Sequence, residues 1–141
     1  MDGKCLSTTV DKRRKENDQI RRMKLLTQEI RRKLPPLYAP DGKGGKAIAY
    51  VKFFTPDSSW TWWAIESEPI KDENGNEVDF HFFGLVDGYF KELGYFAISE
   101  LESARGPLGL PIERDMYFKP RPLEEIAPEM FKKTDKEVSY V

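Results

Sequence analysis

Thirteen of the eighteen aromatic side chains fall between residues 50 and 96: Tyr50, Phe53, Phe54, Trp60, Trp62, Trp63, Phe80, Phe82, Phe83, Tyr89, Phe90, Tyr95 and Phe96. Most sit in runs rich in β-formers, AIAYVKFF at 47–54, WTWWAIE at 60–66 and FHFFGLV at 80–86, where aromatic and β-branched residues favour strands. Strand side chains alternate between faces. Trp60 and Trp62 therefore share one face and Trp63 takes the other; Phe80 and Phe82 oppose Phe83, and Phe53 opposes Phe54. A sheet that is apolar on both sides needs two covers. The rest of the chain offers one amphipathic helix and two short ones, so one face is expected to be covered incompletely. Leftover apolar surface of that kind marks a protein partner or a homodimer interface.

The chain has 141 residues, enough for one hydrophobic core and too few for two. Residues 1–17 are polar and aperiodic, with the run Lys12-Arg13-Arg14-Lys15, and read as a flexible basic leader. Ile20, Met23, Leu26, Ile30 and Leu34 then recur at spacings of three and four, an amphipathic helix over 18–34 that Pro35-Pro36 ends. Asp41-Gly42-Lys43-Gly44-Gly45-Lys46 reads as a loop. Asn74-Gly75 is a hairpin turn between the second and third strands, and a fourth strand is expected over 93–98 after a turn at Asp87-Gly88. Ser99-Glu100-Leu101-Glu102 has the reciprocal capping pattern of a short helix. GPLGLP at 106–111 is a constrained loop, LEEIAPEMF at 123–131 is at most two helical turns broken near Pro128, and 132–141 is a tail. The fold class is α+β: an antiparallel meander of about four strands over 18–131, packed by the N-terminal helix and the short C-terminal ones.

Residues 1–33 carry eleven Lys/Arg against five Asp/Glu, and residues 34–141 carry twelve against nineteen. A basic arm thus precedes an acidic body. Its Lys12, Arg13, Arg14, Lys15, Arg21, Arg22, Arg31 and Arg32 could hold a phosphate backbone while the sheet aromatics stack unpaired bases. Against single-strand binding, only Lys52 lies close to the tryptophans in sequence, and an acidic aromatic surface suits a basic protein partner better. Apolar runs fall short of the roughly 20 residues that span a bilayer. With no secretory leader and only Cys5, a cytoplasmic protein is expected.

Catalytic and metal chemistry finds little support. His81 is the single histidine, set in an alternating apolar strand, and Cys5 lies in the leader. Four zinc ligands of Cys and His type are not to be had. In DENGNEVD at 72–79 the glycine is misplaced for a calcium loop and the twelfth-position glutamate is missing; DGKGGK precedes a strand, where a phosphate loop precedes a helix. Glu66, Asp87 and Asp115 leave a carboxylate hydrolase conceivable only if one pocket gathers them. No metal and no cofactor are expected.

The strings LLTQEIRRKLPPLYAPDGKGGKAIAYVKFFTPDSSWTWWAIE, FFGLVDGYFKELGYFAISELESARGPLGLPIERDMYF and KPRPLEEI resemble the bacterial family catalogued as domain of unknown function 2958, over about residues 23–126. Members of that family are small proteins often carried on plasmids and integrated mobile elements, frequently among genes thought to counter host restriction. The resemblance implies a mobile-element accessory role and assigns no catalytic residue. MKLLTQEIRRKLPPLY, from Met23, resembles a whole family-type amino terminus, which would make residues 1–22 an upstream extension. Without them the chain carries sixteen Lys/Arg against twenty Asp/Glu.

Together these readings point to a non-enzymatic binding protein of a plasmid or other mobile element. It would contact a host or plasmid protein through the aromatic sheet face and the loop at 106–115. Trp60, Trp62, Trp63, Arg105, Glu113 and Asp115 are the expected contact residues.

Overall fold

Residues 3–20 form a helix, α1 (Gly3–Ile20), where a flexible leader over 1–17 and a helix from residue 18 were expected. In the computed structural model, residues 3–21, 23–37 and 44–131 are described, the side chains of 3–10 excepted. The helix expected over 18–34 is correspondingly not continuous. Arg21 and the residues from Met23 to Thr27 are non-helical, and a short helix follows, α2 (Gln28–Lys33). Thr27 explains the restart: its backbone is extended (φ −116°, ψ 165°) and its hydroxyl accepts the Ile30 N–H at 3.2 Å, an N-cap that satisfies a donor the helix cannot. Leu25, Ile30 and Leu34 are buried, whereas Ile20 is 53% exposed, so the apolar stripe belongs to α2 and the segment before it.

The first aromatic run divides at Tyr50 into β1 (Ile48–Ala49) and β2 (Val51–Phe54). Then come β3 (Thr61–Lys71), β4 (Glu77–Asp87) and β5 (Lys91–Ala97), all antiparallel neighbours. The expected meander is present, and longer strands than the apolar runs suggest carry it. Asn74-Gly75 does turn the β3–β4 hairpin. Asp72 Oδ1 accepts the N–H groups of Asn74 and Asn76, both at 2.9 Å, and Gly75 takes φ +85°, a conformation glycine adopts without steric cost.

The helix α3 (Ile98–Ser103) follows β5 directly, one residue before the expected capping box. Glu100, not Glu102, reaches back to accept the Ala97 N–H at 2.8 Å, while Asp79 on β4 receives the Ser99 N–H and hydroxyl. Glu102 is thereby left for another partner. A two-residue strand, β6 (Glu113–Arg114), adds to β2, giving the order β5-β4-β3-β2-β6; β7 (Arg121–Pro122) pairs with β1. The last described elements are α4 (Leu123–Ile126) and a 3-10 turn at Pro128–Met130, the two broken turns expected there.

Both faces of the sheet are covered. Phe53, Phe80, Phe82 and Phe96 point to one side and pack with Leu25, Ile30, Leu34, Ile98, Leu101 and Ile112. Ile65 and Leu85, with Trp63 and Phe83, point to the other and pack under Phe118, Leu123, Ile126, Ala127 and Met130. The alternation read from the sequence therefore holds, and the second cover is the 118–131 segment. What it leaves bare is not a sheet face but the β4–β5 turn, with Tyr89 88% and Phe90 77% exposed, and the edge strand, where Leu93 and Tyr95 are exposed. Among the described residues no helix is long and apolar enough to cross a membrane.

Candidate functional site

The end of the sheet that carries the β4–β5 turn holds the most exposed aromatic cluster. Trp60 sits just before β3, where Thr55 fixes it: the Thr55 hydroxyl accepts the Trp60 N–H at 3.1 Å and the Thr55 N–H bonds to the Trp60 carbonyl at 3.0 Å. Its ring stands 5.9 Å from Trp62 and 5.4 Å, edge to face, from Tyr89. Such ring pairs contribute about 0.5–1.5 kcal/mol beyond area burial. Tyr89 thus extends the tryptophan pair into solvent.

Opposite these rings the GPLGLP loop forms the second wall. Gly106 N–H bonds to Leu110 O at 2.8 Å and Gly109, at φ +86°, turns the chain. The Asp57 carboxylate sits inside this turn and accepts the N–H groups of Leu108 (2.7 Å) and Leu110 (3.3 Å) through Oδ2. A side chain at Gly106 would overlap Asp57 Oδ1, so glycine is required for the loop to close on the acid. Between the walls lies a groove of about 230 Å³ lined by Thr55, Ser58, Trp60, Trp62, Arg105 and Pro107, among others. Leu108, which follows Pro107 in the loop, is 80% exposed.

The structure brings Trp60, Trp62 and Arg105 together and separates the other expected contact residues from them. Trp63 faces the second core cluster. Glu113 and Asp115 line a different cavity of about 390 Å³ with Lys52, Phe54 and Tyr117, where Lys52 Nζ stands 3.5 Å from Asp115 Oδ2. Between them Arg114 lines the same cavity and gives its Nε–H to Lys24 O at 2.9 Å; burial lowers its pKa. Glu66 and Asp87, which a hydrolase would gather with Asp115, line neither cavity. They pair across β4 and β3 with Phe83 and Thr61. Among the described residues no group of three or more His, Cys, Asp or Glu could hold a metal ion. The Cys5 side chain lies outside them.

Of the basic set, Lys12, Arg13, Lys15 and Arg32 are exposed, and Arg22 lies outside the described residues. The other three are engaged within the chain. Arg31 grips Glu77 with both terminal nitrogens, at 2.8 and 2.5 Å, and lies 4.6 Å over the Phe80 ring. Arg14 pairs with Glu102, its Nε at 2.7 Å from Oε1. Arg21, buried, donates its Nε–H to Ile112 O at 2.7 Å and pairs with Asp18 at 2.6 Å.

Sequence reasoning missed Asn17. Its side chain is fully buried, giving N–H bonds to Glu102 O (2.9 Å) and Ala104 O (3.3 Å) and accepting the Arg105 Nε–H at 2.8 Å. The available signal was the spacing of Arg14, Asn17 and Arg21, which puts all three on one helix face.

The chain belongs to the family described as protein of unknown function DUF2958, which matches residues 22–128, from just after α1 to the start of the last 3-10 turn. No curated protein and no solved structure matches it.

Proposed function

We propose that this DUF2958 protein is a non-enzymatic accessory protein of a plasmid or other mobile element that acts by gripping a host or plasmid protein, in a counter-defence role. The contact surface is the groove between Trp60, Trp62 and the GPLGLP loop, continued by Tyr89, Phe90 and Leu108. The observation that supports this most is the Trp60 ring, which links a half-buried tryptophan pair to a tyrosine 88% exposed. Rings held by the fold with one edge in water bind at little entropic cost, and buried aromatic anchors dominate interface energies.

The test is capture from a bacterial lysate on the immobilised full chain, with Trp60→Ala, Tyr89→Ala and Phe90→Ala as separate variants. Each is expected to lose the captured protein while keeping the native circular dichroism. Capture that survives all three removes this site. The counter-defence role is tested by the efficiency with which a plasmid carrying the wild-type or variant gene becomes established in a restricting host, where the variants should lose the wild-type advantage.

A further inference from the structure

An eighteen-residue helix normally docks through an apolar stripe, and the described side chains of α1 show no such contact. None of its described side chains, residues 11–20, joins either apolar cluster, and Ile20 points to solvent, 53% exposed. What holds it is a row of polar contacts to one shelf of the matched domain, at the end of α3 and the start of β6. The shelf offers acceptors: the carbonyls of Glu102, Ala104 and Ile112 and the Glu102 carboxylate. It also offers Arg105 as a donor, Nε–H to Asn17 and a terminal nitrogen to Glu16.

That arrangement is selective. A carboxamide at the middle position both gives to two carbonyls and accepts from Arg105, which neither a carboxylate nor an ammonium group does. The flanking positions require guanidinium groups, Arg14 for the Glu102 carboxylate and Arg21 for the Ile112 carbonyl. The body beyond residue 33 carries nineteen acidic side chains against twelve basic ones, which favours the approach of a basic segment.

We propose that this shelf is a docking site for a basic helix carrying Arg, Asn and Arg at positions i, i+3 and i+7. In this reading α1 is its tethered occupant, and a helix of the same pattern on a partner protein displaces it. The contacts of Arg14, Asn17 and Arg21 with the shelf are polar, so an incoming helix of the same pattern replaces them one for one, and the tether favours α1. A short tether acts like a millimolar local concentration of about the same helix, which sets the threshold a partner must exceed. The shelf and the aromatic groove adjoin and share Ala104, Arg105 and Ile112, but the helix is held by carbonyls, Arg105 and the Glu102 carboxylate and not by the rings, so the proposal stands whether or not the groove binds a protein.

The probe is a fluorescent peptide with the sequence of residues 3–24, measured by anisotropy against the full chain. In a chain carrying Asn17→Asp and Arg21→Glu the tethered helix no longer fits while the shelf stays intact. The peptide is expected to bind that chain at least tenfold more tightly than wild type, and a peptide with Asn17→Ala to lose at least tenfold. Equal binding to both chains, or a variant peptide as good as its parent, overturns the proposal. Should the substituted chain not fold, hydrogen exchange of the wild-type chain decides. Excess peptide speeds exchange of the chain's own residues 11–20 if the site is shared, and unchanged exchange rules the shared site out. Light scattering that shows a dimer in the wild type, lost with Asn17→Asp and Arg21→Glu, would make a second copy's α1 the occupant and overturn the partner reading.

Discussion

The six-membered ring of Trp60 rests on the backbone of Gly88, so close that a methyl group on the glycine would overlap three of the ring carbons. The β4–β5 turn is thereby seated on the tryptophan, and Tyr89 beside it meets the same ring edge to face. One indole fixes both the floor of the groove and the turn that extends it.

Gly88→Ala should therefore shift Trp60 off its seat. Overpacking of this kind costs about 1–3 kcal/mol, seen as a lower denaturant midpoint, and the indole emission should move to longer wavelength as the ring gains water. The same substitution at Gly94, where a Cβ meets nothing within 4 Å, is the control and should leave emission unchanged. A Gly88→Ala chain with native emission and midpoint would show that the turn is not seated on Trp60.

Asn17→Ala removes three hydrogen bonds at once and leaves Arg105 with Glu16 at 3.5 Å. A buried polar group deprived of its partner costs about 1–3 kcal/mol, but here the strain has an easy outlet: α1 lifts away and water reaches the shelf. The expected result is local. Amide exchange across residues 11–20 accelerates at least tenfold while that of β3 and β4 barely changes. Equal acceleration in α1 and in the sheet would mean that α1 is part of the cooperative core.

Two glutamates should give opposite pH dependences. Burial pushes the Glu102 carboxyl above its ordinary value of 4.5, the pairing with Arg14 notwithstanding. The folded chain thus takes up this proton at a higher pH than the unfolded chain does, and Glu102 adds stability as pH falls from its raised value toward the ordinary one. Glu77 is the reverse: the hydrogen bond from Arg31 holds it below 4.5, so its stabilising effect is present above the ordinary value and lost as pH falls through the lowered one. Urea midpoints across the acidic range should lose the upper feature in Glu102→Gln and the lower one in Glu77→Gln. Because Glu77 is exposed, its contribution should also shrink in salt. A Glu102→Gln profile identical to wild type would count against the burial of this carboxylate.

The sheet was legible because its information is local. Alternating rings between Tyr50 and Phe96 name the strands, their faces and, through Asn74-Gly75, one register. The groove was half legible: Trp60 and Trp62 announce themselves, but their neighbour Arg105 arrives through the clasp of the 106–110 turn on Asp57, a contact between residues 51 apart in sequence. Glu113 and Asp115 follow the same loop yet belong to another cavity, since β6 pairs with β2 and carries them across the sheet edge. The hardest element was α1. Hydrophobic periodicity finds helices by the face they bury, and this one buries an asparagine, with a buried arginine just past its end. Its apolar residue Ile20 misled in the other direction, appearing to begin a stripe that in fact starts at Leu25.

The engagement of Arg14 with Glu102 and the burial of Arg21 also limit what α1 and its end can offer to nucleic acid. If single-stranded DNA binds through the exposed members of the basic set, Lys12, Arg13, Lys15 and Arg32, each neutralised phosphate contributes about −0.7 to the slope of log K against log salt, so the slope should be no steeper than about −3. Alanine at Lys12, Arg13 and Lys15 together should flatten it further, to near −1 by the same reckoning of about 0.7 per phosphate. Arg14, Arg21 and Arg31 reach phosphates only by leaving Glu102, Ile112 and Glu77. A slope well beyond −3 would therefore report release of α1 from its shelf, and the accompanying rise in amide exchange over residues 11–20 would identify it. Fluorescence anisotropy with a labelled oligonucleotide at four or more salt concentrations separates these outcomes; binding that does not respond to salt would exclude the basic face as the contact.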